Sequence, residues 1–136
     1  MQVLLVDDQA ITVQIFAAAV RKTFGGAKVH TAVDLADALQ IASGRTIDLV
    51  LLDLALPTSS GIEALRRFRQ AFPDVPVLVV SASEDQARIQ ACLDAGARGS
   101  VTKSNAVLGL VGAMKTVAAG GRYDPLGKMG TNPIFR

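Results

Sequence analysis

One cysteine, one histidine and no apolar run near the roughly 20 residues of a membrane span mark what this 136-residue chain goes without. Cys92 has no partner for an internal disulfide and sits beside Leu93 in an apolar helical pattern, so it reads as a small buried hydrophobe. His30, the single histidine, lies in a strand-like run far along the chain from any acidic pair and reads as a surface residue. No signal-peptide pattern opens the sequence, because Met1-Gln2-Val3 leads straight into an apolar run, so a cytoplasmic location is the default expectation and no membrane is implicated. A basic stripe is missing as well. Through Gly120 there are eleven Lys or Arg and eleven Asp or Glu, and the net +2 comes wholly from the last sixteen residues. A body with no net charge excludes the electrostatic footprint that a phosphate backbone demands, so DNA is not expected to bind this part of the chain.

What the sequence does have is apolar residue in quantity, 50% of the chain, enough for the core of one domain. Five short runs rich in Val, Leu and Ile recur: "VLLV" (3–6), "AKVHTA" (27–32), "IDLVLLDL" (47–54), "VPVLVVSA" (75–82) and "ARGSVT" (97–102). Between them apolar residues fall at helical spacing, for instance Ile11, Ile15 and Ala19 with Phe16, Val20 and Phe24, or Ile62, Leu65, Phe68 and Phe72. Gly25-Gly26, Ser43-Gly44, Pro73-Asp74 and Ala95-Gly96 stand where helices should stop. Strand then helix, five times over, predicts an α/β fold with a parallel sheet, and the third run, apolar on both faces, predicts a central strand. "RRFR" (66–69) reads as a solvated helix face carrying Arg66, Arg67 and Arg69. Residues 1–120 form the expected domain, and 121–136, broken by Gly and Pro, read as a linker-like or tail segment.

Right-handed crossovers bring the carboxyl ends of all parallel strands to one edge, where such folds bind ligands. Asp7 and Asp8 follow the first run, Asp53 ends the third, Ser81 the fourth, and Lys103 closes the fifth. Singly, each has an ordinary explanation: a helix cap or turn for the acids, a turn hydroxyl for Ser81, a surface charge for Lys103. Their coincidence on one edge does not. Clustered carboxylates call for a hard divalent cation, with Mg²⁺ the natural candidate, and a lysine and a hydroxyl beside them suit phosphoryl transfer. Asp53 is then the candidate nucleophile, the Asp7-Asp8 pair the metal holder, and Lys103 and Ser81 the groups that take phosphoryl oxygens.

"LLVDD", "LVLLDLALP" with Gly61, "VLVVSAS" and "GARGSVTKS", in that order and spacing, resemble the response-regulator receiver domains of two-component signalling, over residues 3 to about 120. The resemblance implies a doubly wound five-stranded sheet of order 2-1-3-4-5 with five helices. It also implies phosphorylation of Asp53 by a partner histidine kinase, and Mg²⁺ held by Asp8, Asp53 and the backbone carbonyl of Ala55 with Asp7 helping through water. Ser81 and Lys103 would couple phosphorylation to a surface change. Such a domain is a switch more than an enzyme, since it transfers a group onto itself and slowly hydrolyses it.

"GLVGAMKTVAAGGRYDP" resembles the last helix and exit of NarL/FixJ-type regulators, in which a linker leads to a LuxR-type helix-turn-helix. No such domain follows here, so the expectation is the receiver part of a transcriptional regulator that meets DNA only through a C-terminal domain outside this chain. The alternative is a stand-alone receiver acting through protein contacts, and a homodimer is compatible with either. Four positions depart from the family pattern. Ser100 stands where many receivers carry a switch aromatic, so the readout must use another device. Ser104 replaces a frequent proline, as in the NarL-like group. Ala55 and Ser83 are small and would shield an aspartyl-phosphate poorly, implying a short-lived modification. Two rivals fit less well. A flavodoxin-like cofactor binder would not place "DDQA" where phosphate is cradled, and a haloacid-dehalogenase-type phosphatase needs an acid where Ala55 stands.

Overall fold

The computed structural model describes residues 1–55, 61–82, 85–103 and 106–123. Its strands are β1 (Gln2–Val6), β2 (Lys28–Ala32), β3 (Leu49–Asp53), β4 (Val77–Ser81) and β5 (Gly99–Thr102), and its helices are α1 (Ala10–Thr23), α2 (Leu35–Ser43), α3 (Gly61–Ala71), α4 (Gln86–Asp94) and α5 (Ala106–Ala118). The strands make one parallel sheet of order β2-β1-β3-β4-β5. This is the doubly wound sheet that the resemblance implied.

Strand pleating sorts the apolar residues to two faces. Leu4, Val6, Val50, Leu52, Val77 and Val79 meet Ala38 of α2, Leu65 and Phe68 of α3 and Cys92 of α4 on one side. Val3, Leu5, Leu49, Leu51, Leu78, Val80 and Val101 meet Phe16 and Val20 of α1 and Leu110, Met114 and Val117 of α5 on the other. Every residue of β3 and of β4 is buried, which is the burden of a strand covered by helices above and below. Cys92 is fully buried, as its apolar surroundings in sequence predict.

Three of the expected strand starts fall two residues late. The reason at β4 is chemical: Pro76 has no N–H to pair, and contributes only its carbonyl, to Val50 N–H at 3.0 Å. The α1 pattern is corrected more substantially. Ile11 and Ile15 are 75% and 50% exposed, because the turn that meets the sheet carries Phe16, Ala17 and Val20 and leaves the opposite side of the helix to solvent. On α3, Arg66 and Arg67 are exposed as expected, but Arg69 is half-buried. It donates to the Pro73 carbonyl and lies over Gly96, where a Cβ would sit 2.8 Å from its Nε. His30 is half-buried on β2, 2.9 Å from Gln2 Oε1, and takes no part in the acidic edge. Among the described residues no helix is long and apolar enough to cross a membrane.

Candidate functional site

Strand order reverses between β1 and β3, since β1 pairs with β2 on one side and β3 on the other. Asp7 leaves the end of β1 and Asp53 ends β3, so the two acids flank this switch point. Each spends one oxygen locally. Asp7 Oδ1 accepts from Gln9 N–H at 2.9 Å, and Asp53 Oδ1 accepts from Ala55 N–H at 3.0 Å. The turn reading of these acids holds and does not conflict with the site reading, because the first oxygen orients the carboxylate and leaves the second for the edge.

Lys103, just past β5, reaches across the edge. Its Nζ donates to Asp53 Oδ2 at 3.2 Å and stands 3.8 Å from Asp7 Oδ2. Asp53 and Asp7 are almost wholly buried, while Lys103 and Asp8 have access to solvent. Ser81, buried at the end of β4, lies in register with Thr102 of β5 and one residue beyond the Asp53–Val80 pair. Ser100 is also buried, in register with Val79.

Carboxylate oxygens of Asp7, Asp8 and Asp53 all lie within 4.8 Å of one another. Asp7 Oδ2 is buried with no hydrogen-bond partner among the described residues. Burial pushes the Asp7 carboxyl above the ordinary range, the Gln9 N–H opposes this, the Asp53 charge adds to it and Lys103 offsets part of it. A carboxyl raised in this way favours folding while protonated, and that contribution is lost as pH rises through its folded pKa. An orphaned, hard, anionic oxygen with carboxylate oxygens of Asp8 and Asp53 beside it, and one lysine against Asp7 and Asp53, is a donor set that fits a small divalent cation. Asp7→Asn should accordingly raise the unfolding midpoint in divalent-free buffer at neutral pH by about 3 °C or more, and shrink the stabilisation that added Mg²⁺ gives. A melt series with and without Mg²⁺ checks both. An unchanged Mg²⁺ response would remove Asp7 from the cation's surroundings.

The residues expected from sequence thus meet at one edge: Asp7, Asp8 and Asp53 close together, Lys103 against Asp7 and Asp53, and Ser81 at the neighbouring strand end. Ala55 is placed by its N–H bond to Asp53. Ser83, Ser104 and residues 124–136 lie outside the described residues. Sequence reasoning missed the packing of Gly61 against Leu54 and of Tyr123 against β5, since neither is signalled by periodicity or by spacing.

The family profile described as the response regulator receiver domain matches residues 3–115. The transcriptional regulatory protein DegU of Brevibacillus brevis is 31% identical over 126 residues, covering 90% of this chain and 52% of that protein. The transcriptional activator protein ExaE of Pseudomonas putida is 34% identical over 123 residues, covering 90% and 58%. A crystal structure of a LuxR-family two-component response regulator from Aurantimonas sp. SI85-9A1 superposes with a TM-score of 0.83 at 32% identity, over 90% of this chain and 87% of that one. The chain spans little more than half the length of these two curated relatives.

Proposed function

The chain belongs to the response regulator receiver domain family, and from that premise we propose that Asp53 accepts a phosphoryl group from the phosphohistidine of a histidine kinase. A carboxylate oxygen of Asp53 attacks phosphorus in line, the O–P bond forms, the N–P bond breaks, and the imidazole leaves with its electron pair. The observation that carries this reading is the buried Asp53 carboxylate held at once by a backbone N–H and by Lys103. Such a carboxylate is aimed before its partner arrives, so little reorientation opposes reaction. Lys103, a compact charge on a flexible stem, can follow the new oxygens, and Ser81 stands at the adjoining strand end to donate to one of them.

The acidic edge of Asp7, Asp8 and Asp53 fits Mg²⁺, which Asp8, Asp53 and the Ala55 carbonyl would hold, with Asp7 helping through water. When bound it would offset charge on the phosphoryl oxygens. The chain acts as a switch that carries the group, not as a catalyst that turns over substrate, so sustained hydrolysis of p-nitrophenyl phosphate is not expected. The named relatives are transcriptional regulators, which supports reading this chain as the control part of such a protein, touching DNA only through a domain outside these residues.

Incubation with acetyl phosphate and Mg²⁺ followed by intact-protein mass measurement tests the assignment. A single phosphoryl adduct is expected on the wild type and none on Asp53→Asn. An unmodified wild type, or an adduct that persists in the variant, overturns it.

A further inference from the structure

Helix α5 ends in a turn that sends the chain back to the sheet. Gly120, at φ +92°, donates to Val117 O at 3.0 Å, and Gly121 donates to Thr116 O at 2.9 Å, which closes the helix and reverses direction. The chain then reaches the outer edge of β5. Tyr123 N–H donates to Arg98 O at 2.9 Å and Ser100 N–H donates to Tyr123 O at 3.2 Å, a parallel bridge opposite Gly99. An edge that the sheet order leaves unpaired is thus paired here by the chain's own exit.

Two glycines make the seat. A Cβ on Gly99 would stand 2.9 Å from Tyr123 O and 3.0 Å from Tyr123 Cβ, so any side chain there would push the segment off the strand. On α5, a Cβ at Gly109 would stand 3.6 Å from Tyr123 Oη, so the phenol end lies over the helix where no side chain projects. The ring packs against the core shared by α1 and α5. Gly99 and Lys103 sit at opposite ends of one four-residue strand and the residue after it, and Lys103 holds Asp53. Whatever moves Lys103 and the Ser81–Thr102 pair moves the strand on which Tyr123 is seated.

We propose that residues Gly121–Tyr123 are a strap seated on the β5 edge while Asp53 is unmodified, and that phosphorylation of Asp53 unseats it. The proposal rests on the phosphoryl-acceptor reading above. It supplies an aromatic reporter of β5 position from the exit segment, in a chain whose β5 carries Ser100 and no aromatic. The slot has no slack at Gly99, so a shift of β5 relative to α5 breaks the fit rather than stretching it.

Tyr123 is the only tyrosine and the chain has no tryptophan, so tyrosine emission reports this residue alone. Acrylamide quenching of the full chain, with phosphorylation followed by mass in the same samples, is expected to rise about twofold or more on modification as a half-buried ring gains solvent. A complete adduct with unchanged or reduced quenching overturns the strap and leaves the acceptor reading standing. No adduct overturns the acceptor reading and the phosphorylation step of the strap together. Gly109→Leu fills the slot at a half-buried helix position away from the acidic edge. It should expose Tyr123 without phosphorylation and, because coupling is reciprocal, tighten binding of the phosphoryl mimic beryllofluoride about fivefold or more. Wild-type quenching in that variant overturns the seat itself, and wild-type beryllofluoride affinity overturns its coupling to Asp53.

Discussion

Lys103→Met is expected to lower the unfolding midpoint by about 5–10 °C in divalent-free buffer at neutral pH. The lysine is the cation that faces two buried carboxylates, at 3.2 Å from Asp53 Oδ2 and 3.8 Å from Asp7 Oδ2. Removing one member of such a set costs more than the set contributes, since two buried carboxylates are left without their cation, each with only one backbone N–H on its Oδ1. Lys103 keeps about a fifth of its surface in solvent, so screening trims the loss to about 2–3 kcal/mol from the larger values of fully enclosed pairs. Two rescues separate this cause from mere loss of packing. Adding Asp53→Asn to the variant should recover most of the midpoint, because one of the orphaned charges is gone, and added Mg²⁺ should recover part of it by replacing one cation with another. Phosphorylation by acetyl phosphate should still fall about tenfold or more even with Mg²⁺ present, as a donor to the phosphoryl oxygens is lost. A midpoint within about 1 °C of the wild type would mean that the acids are solvated in the folded chain.

Gly61→Ala should be the second severe change, and its sign opposes what helix propensity alone predicts. Exchanging glycine for alanine within a helix ordinarily stabilises by up to about 1 kcal/mol. Here the added Cβ would fall 2.5 Å from Leu54 Cα, 2.6 Å from Leu54 Cδ2 and nearer still to the Leu54 carbonyl oxygen. Those are mostly backbone atoms at the end of β3, and Leu54 N–H is tied to Val80 O at 3.1 Å, so the strand end cannot yield without breaking its pairing. The expected cost is about 3 kcal/mol, near the upper range of overpacking, with a midpoint lower by about 10 °C. Because Leu54 follows Asp53 directly, the folded fraction should also accept phosphate more slowly. Thermal melts and the rate of adduct formation check the two effects, and a variant as stable as the wild type would show that α3 can start elsewhere.

Much of this site is legible in one dimension because parallel topology makes it so. Once strand and helix alternate, every strand's last residue must reach the same edge, and "VDD", "LLD", "VVS" and "VTK" can be placed together without coordinates. Gly61 shows the limit of that logic. It belongs to the motif by spacing, but the reason that only glycine fits, the approach of α3 to the β3 end, is a distance between segments. Ile11 and Ile15 show another limit. Helical periodicity finds an apolar line on α1, but which line faces the sheet depends on how the helix is rolled against β1 and β3, and the side bearing Phe16, Ala17 and Val20 buries more.

The linear pattern of apolar runs and breakers, read by itself, determined the five βα units, the central place of β3 and the convergence of Asp7, Asp8, Asp53, Ser81 and Lys103, since each depends on local periodicity or on the handedness of short connections. Only the tertiary structure decided which neighbour of the acid pair is buried. Asp7 turns inward with an orphaned oxygen and Asp8 outward, a choice set by the direction of the chain as it leaves the pleat. It also decided that Tyr123, twenty residues past Lys103 and in a segment without periodicity, lies on the strand that Lys103 ends. Contacts of that kind depend on complementary shape at two glycines and two backbone hydrogen bonds, and no residue pattern along the chain encodes them.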